Sequence, residues 1–300
     1  MWTTKRFTPR VLERFREQGR GLGTFQEYSA WHQITRGDPS SKGRSHIVTM
    51  GRAHDFLSDL ERNTALFAWM HPHFLDLREQ YPLSLDTAPH ELTAYVAAPQ
   101  WHRYPGTLEI AEELKIRHPR VCVKGEAAWW VMTTDILLAL KLPGSPARIK
   151  LLAISCKPST DLTSRRKRQL LELERTYWRY RGVPWLLITE NELPGAVTNV
   201  FIRTWHWGLV SKPGHAHLAA AEAISVRLQG RPLHFILSEL SHELGSMANA
   251  QDAFWRSVWT ARTPLALPLG WRPTEIIRLT DATTFLSHNP ILMGRSAWNN

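Results

Sequence analysis

The chain has 300 residues, and 43 % of them are hydrophobic, enough to fill one large core or two ordinary ones. Its 37 Lys and Arg against 27 Asp and Glu give a formal net charge of +10, most of it before residue 191, where 28 cations meet 20 acids; that balance favours a polyanion such as nucleic acid. Cys122 and Cys156 are too few for a disulfide framework or a four-cysteine zinc site, no apolar run is long enough to cross a bilayer, and MWTTKRFTPR lacks the apolar core of a secretory signal. The expectation is a cytoplasmic chain with reduced thiols and no membrane partner.

GLGTFQ and SSKGRS hold glycines but neither has the spacing of a phosphate-binding loop, and TRGDPSSKGRSH reads as a loop rich in Gly, Ser and Pro. From His54 the spacing predicts a helix whose stripe is Leu57, Leu60, Thr64, Phe67 and Ala68. Ser58-Asp59-Leu60-Glu61 within it matches the S-x-x-E capping box, which leaves Glu61 open between a backbone cap and a functional carboxylate.

LDLREQYPL is extended, and an irregular stretch follows from Ser84 to Gly106. LEIAEELKIRHP predicts a short helix stopping before Pro119, and AAWWVMTTDILLALKL a strand or hairpin with Asp135 among apolar neighbours. Such an aspartate, taken alone, is a turn residue or a solvated edge.

LLAISCKPS is the next strand. Alternation puts Leu151, Ala153, Ser155 and Lys157 on one face and Leu152, Ile154 and Cys156 on the other, and Pro158 ends the pairing. TSRRKRQLLELERTYWRYRG predicts a helix with Thr163 or Ser164 as N-cap, an apolar side of Leu170, Leu173, Tyr177 and Trp178, and Gly182 as terminator. VPWLLIT is a buried strand, and the helix between the two strands implies a crossover and parallel pairing. Beyond Glu190 come the short helical segments HAHLAAAEAISVRLQ, PLHFILSELSHELG and NAQDAFWRSVWTA, so the domains are expected at 1–190 and 191–300, with a hinge at 191–195.

Glu61 on a helix, Asp135 on one strand and Lys157 on the next, with Ser155 two residues before the lysine, would suit phosphodiester cleavage. Hard divalent cations prefer oxygen ligands, and a neighbouring lysine orients water or balances developing charge. Acid and lysine at this separation are too common to identify a nuclease by themselves. Arg165, Arg166, Lys167 and Arg168 open the helix after Lys157 as a candidate DNA-phosphate contact, set against the reading of a merely solvated face. Glu174 stays outside the catalytic set, as a supporting residue or a surface partner on its helix. His215 and His217 lack the further ligands that zinc requires.

Taken in order, RGLGTFQEYSAWHQITRGDPSSKGRSH, GRAHDFLSDLE, LDLREQYPL, MTTDILLAL, AISCKPS and LLELERTYWRYRGVPWLLIT resemble the TnsA family, the endonuclease subunits of heteromeric cut-and-paste transposases, over residues 15 to 190. The resemblance implies an α/β restriction-endonuclease-like core, a mixed sheet flanked by helices, with a smaller, mainly helical C-terminal domain of winged-helix type. It implies a bacterial, Mg2+-dependent enzyme, with Mn2+ able to substitute, that cuts transposon-end DNA at the 5′ ends. Its partners would be a TnsB-like recombinase and, through the C-terminal domain, a TnsC-like ATPase. It assigns Glu61, Asp135 and Lys157 to catalysis, and metal ligation to Glu61, Asp135, position 155 and the Cys156 carbonyl. The family carries glutamine where this chain has Ser155, a shorter neutral group that would reach a metal through water. A free-standing restriction or repair nuclease, or a degenerate nuclease kept as a DNA-binding or assembly subunit, is the alternative.

Overall fold

The computed structural model describes residues 7–35, 45–96, 102–123, 125–144, 148–269 and 272–299. Residues 36–44 of the TRGDPSSKGRSH loop and 97–101 of the irregular stretch lie outside the described residues. Two compact units form. One comprises Met1–Arg62, His73–Glu190 and Ser296–Asn300; the other comprises Asn63–Pro72 and Asn191–Arg295.

The first unit is built on a four-stranded mixed sheet in the order β3 (Phe74–Pro82), β6 (Thr133–Leu142), β7 (Arg148–Cys156), β8 (Trp185–Ile188). β6 is antiparallel to both β3 and β7, while β7 and β8 run parallel with Ala153 opposite Trp185. The parallel pair is joined through α4 (Arg165–Tyr180), as a crossover connection requires. Ser164 starts that helix by accepting from the Lys167 N–H, and Gly182, at φ +63°, lets the chain turn out of it.

Leu173, Tyr177 and Trp178 of α4 pack onto Leu137, Ala139, Leu151 and Ala153 of the sheet. Each such side chain contributes about 1.5–3 kcal/mol by leaving water. Leu171 is buried beside them, and Leu170 sits at the margin of the cluster.

Two hairpins and two further helices complete this unit: α1 (Pro9–Glu17), β1 (Ser45–Thr49) with β2 (Arg52–Phe56), α3 (Thr107–Glu113), and β4 (Arg120–Val123) with β5 (Glu126–Trp129). The helix expected from His54 begins at Asp59 instead, as α2 (Asp59–Trp69). His54 and Phe56 belong to β2, where they are buried in alternation with Ala53 and Asp55, the period of a strand rather than a helix. The irregular stretch is pinned to α4: Glu91 accepts from the Tyr177 hydroxyl at 2.6 Å and from Arg181 Nε at 3.0 Å. Gly106 is needed there, because a Cβ would meet the Leu85 carbonyl oxygen at 2.2 Å.

The second unit is mainly helical: α5 (Gly195–Trp205), α6 (His215–Arg227), α7 (Leu233–Leu244), α8 (Met247–Trp259) and α9 (Ala282–Ser287). α8 packs on α6 and α7, and the isolated antiparallel bridges Pro232↔Ile276 and Leu265↔Leu279 lie in the same unit. A single boundary after Glu190 does not describe these units, because residues 63–72 and 296–300 each cross over. Phe67 meets Phe201 edge-to-face at 5.3 Å, and its carbonyl accepts from Asn289 Nδ2 at 2.8 Å. Trp298 instead stacks edge-on against Trp185 at 5.6 Å, and Ser296 Oγ accepts from the Leu187 N–H. No helix among the described residues is long and apolar enough to cross a membrane.

β3 is tied to the β1–β2 hairpin by a buried ion cluster. Arg52 grips both oxygens of Glu79 at 2.6 Å, and His54 Nδ1 stands 3.1 Å from the same carboxylate. Burial would raise the Glu79 carboxyl, but these hydrogen bonds outweigh it and hold it down at about 2. A depressed carboxyl contributes stability above its unfolded value, near 4.5, that is lost as pH falls through its folded one. Glu79→Gln should therefore cost about 3 kcal/mol in urea unfolding at neutral pH and blunt the loss of stability below pH 4.5.

Candidate active site

Three separate elements of the first unit bring acids and a cation together. α2 supplies Glu61 from its first turn, β6 supplies Asp135, and Lys157 immediately follows β7. Asp135 is the hub: its Oδ2 accepts from Lys157 Nζ at 2.6 Å and from the Cys156 N–H at 2.7 Å. Glu61 is held from its own helix cap as well. Ser58 Oγ donates to its Oε1 at 2.9 Å, the Leu57 N–H donates to its Oε2 at 3.1 Å, and its own N–H donates back to Ser58 Oγ at 3.2 Å. The cap and the approach to Asp135 are thus made by one side chain, so the two readings of Glu61 are compatible.

Gln80 of β3 connects the acids. Its Nε2 donates to Glu61 Oε2 at 3.0 Å and to Asp135 Oδ1 at 3.4 Å, and its Oε1 accepts from Thr133 Oγ1 at 3.2 Å. The backbone turns abruptly to allow this: Gln80 has φ +48°, a left-handed conformation that costs a non-glycine residue about 1 kcal/mol or more. Arg78 and Tyr81, three residues apart, stack at 4.5 Å, so the regular alternation of the strand is broken between them.

Ser155 and Glu174 form a second, linked group. Ser155 is fully buried; its hydroxyl donates to Glu174 Oε1 and accepts from Trp185 Nε1 at 3.0 Å. Glu174 Oε1 also accepts from Thr134 Oγ1 at 2.8 Å. The alternative of Glu174 as a surface partner is corrected here, since it is only 3 % exposed and faces the sheet beside the site. The Cys156 thiol is buried, and Cys122 is exposed.

The charges respond to this crowding. Burial first, and the Asp135 charge second, push the carboxyls of Glu61 and Glu174 up to about 7. Burial would lower the Lys157 ammonium, but the charges of Asp135 and Glu174 outweigh it and raise its pKa, so the lysine stays protonated. Its side chain is 34 % exposed, and with Glu174, Thr133 and Trp130 it lines a cavity of about 340 Å³.

The four cations at the start of α4 are all exposed. Arg166 donates to the Arg117 carbonyl, Lys167 pairs with Asp161, and the Arg168 guanidinium lies 5.9 Å from the centre of the Trp298 ring. His215 and His217 lie at the start of α6, and among the described residues no group of three His, Cys, Asp or Glu is placed to hold a metal ion.

Sequence reasoning missed Gln80 and set Glu174 aside. The only trace of Glu174 was its spacing, one turn before Trp178 on the apolar side of α4. Gln80 left no trace, because a glutamine in an alternating strand announces neither its φ nor its neighbours.

Known proteins resemble this chain over most of its length. Residues 71–190 match the family model described as the TnsA-like endonuclease N terminal. The Transposon Tn7 transposition protein TnsA of Escherichia coli is 31 % identical over 231 residues, a span of 76 % of this chain and 70 % of that protein. With Asp135 on β6 and Lys157 just past the end of β7 inside the matched region, and Glu61 outside it, the chain belongs to the TnsA family of transposition endonucleases.

Proposed function

We propose that this chain is a Mg2+-dependent DNA endonuclease, with Mn2+ able to substitute, that cuts the 5′ ends of a transposable element with Glu61, Asp135 and Lys157 as its catalytic set. The observation that carries the reading is the convergence of Glu61 and Asp135 on one amide, with Lys157 on the same aspartate. Desolvating these groups costs several kcal/mol per ion, and unlike Glu79 the carboxyl of Glu61 is raised rather than lowered by its surroundings.

The donor set suits magnesium. Two carboxylates are hard ligands, and magnesium keeps waters on its remaining positions. Glu61 and Asp135 would hold the cation, which when bound activates water and neutralises the scissile phosphate. Lys157 would hold its protons at Nζ toward the developing negative charge on oxygen. The Ser155 hydroxyl is occupied by Glu174, which favours one cation over two and makes residue 155 a support for Glu174 rather than a ligand. The Cys156 main chain acts through its N–H on Asp135, and a role for its carbonyl stays part of the proposal.

The exposed cations Arg165, Arg166, Lys167 and Arg168 follow Lys157 closely in the chain and are read as contacts to the phosphates of transposon-end DNA. Partners are proposed on the family relationship: a TnsB-like recombinase, and a TnsC-like ATPase reached through the C-terminal unit. Helices α6, α7 and α8, with antiparallel bridges that join Pro232 before α7 to Ile276 and Leu265 after α8 to Leu279, support a winged-helix type for that unit.

Asp135→Ala and Lys157→Ala should each lower 5′-end nicking, measured with the partner recombinase and Mg2+, by at least about a hundredfold. Wild-type nicking by Asp135→Ala would sink the assignment. Neutralising Arg165 and Arg166 together should flatten the salt dependence of DNA binding by about one unit of log–log slope for each phosphate no longer neutralised.

The raised carboxyls also set a stability profile for the metal-free protein. A carboxyl whose folded pKa is raised binds more protons folded than unfolded, so its folded state is favoured most at low pH and loses ground as pH climbs from about 4.5 to about 7. The free energy of unfolding from urea titrations in EDTA should fall across that interval, by an amount on the order of 3 kcal/mol per carboxyl at most, and Glu61→Gln should remove its share.

A further inference from the structure

We propose that Gln80 is a cation-binding residue of this site, its side-chain amide supplying the oxygen that position 155 does not. The inference rests on the reading of Glu61 and Asp135 as the acidic pair.

Four observations support it. First, the acidic donors at hand are two: no group of three His, Cys, Asp or Glu among the described residues is placed to hold a metal ion, so any further protein oxygen would come from a neutral group. Second, Ser155 is poorly placed to be that group, because its hydroxyl is held by Glu174 and Trp185 on the side packed by α4. Third, Gln80 is 3 % exposed, and its amide hydrogen-bonds both acids, at 3.0 and 3.4 Å. Fourth, the strand takes a left-handed turn at a glutamine, φ +48°, where a regular strand would serve the sheet better.

The chemistry of the amide fits both states of the site. Without a cation, two carboxylates need a donor between them, and the Nε2 group provides it. Turned over about its last bond, the same amide presents Oε1 to the acids' side and Nε2 to Thr133. The Thr133 hydroxyl donates in one orientation and accepts in the other, so neither orientation leaves a buried partner unmet. A single group can therefore screen the empty site and complete the filled one.

The test uses the full chain and Mn2+ alone, with free ion counted by electron paramagnetic resonance and folding followed by thermal melts. Gln80→Leu, which keeps bulk but no oxygen, should weaken Mn2+ binding at least about tenfold. Gln80→Glu, which keeps an oxygen and loses the donor, should bind at least as tightly as wild type. A role confined to bridging the acids predicts the reverse for Gln80→Glu, which would then be the weaker binder. Gln80→Gly suits the left-handed backbone and replaces Gln80→Leu if that variant fails to fold.

Asp135→Ala separates the two readings. If it binds Mn2+ like wild type, the acidic pair itself is wrong. If it loses binding while folded Gln80→Leu or Gln80→Gly retains it in full, only the proposal for Gln80 is overturned. Should every variant at position 80 unfold, the wild-type protein decides. Its Gln80 side-chain amide resonances shift with Mg2+ on the saturation curve of the site, or they stay fixed and the proposal fails.

Discussion

Asp135 is the point on which the first unit's chemistry turns. A carboxylate that is 5 % exposed requires donors, and it receives three: the Lys157 ammonium, the Cys156 N–H and the Gln80 amide. Those donors come from the end of β7 and from β3, the two neighbours of β6 in the sheet. The cost of burying one negative charge is thus offset by joining three strands, and the join leaves a lysine pointing partly to solvent beside two acids.

The rest of the unit follows from supporting that arrangement. α4 covers the sheet with Tyr177 and Trp178, and the indole of Trp178 donates to Thr134, next to Asp135. Its Glu174 then meets Ser155 and Thr134, so a layer of neutral hydroxyls and a raised carboxyl separates the apolar core from the charged group. On β3 the Arg52–Glu79–His54 cluster fixes the residue immediately before Gln80, which leaves the left-handed turn at Gln80 little freedom to relax. Two buried polar clusters on one strand therefore have different natures. Glu79 is firmly ionised by its partners, whereas burial and the neighbouring Asp135 charge push Glu61 and Glu174 up to about 7.

Much of the fold is legible in advance because local rules agree with it. The Ser164 cap, the Gly182 stop and the parallel pairing of VPWLLIT with LLAISC all rest on short-range chemistry that tertiary packing reinforces. The strand at His54 reads as helix because LSDLE follows RAHDF directly, and the helical stripe can be extended back through His54 without conflict. Only the hairpin partner, placing His54 opposite Ile47, selects the period of two. A division at Glu190 misplaces two segments for the same reason. Phe67 and Trp298 are ordinary apolar residues until Phe201 and Trp185 are placed beside them.

By itself the sequence determined the residue types and their order: a carboxylate at a helix cap, an aspartate inside an apolar strand, a lysine where the next strand stops on proline, and a family resemblance that tied them together. Tertiary structure alone decided which oxygen each donor reaches, that Ser155 is spent on Glu174, and that Gln80 spans the two acids. The reason is physical. Propensity and periodicity act over a few residues, but the partners of Asp135 lie 21, 22 and 55 positions away, and only the sheet register brings them within hydrogen-bonding distance.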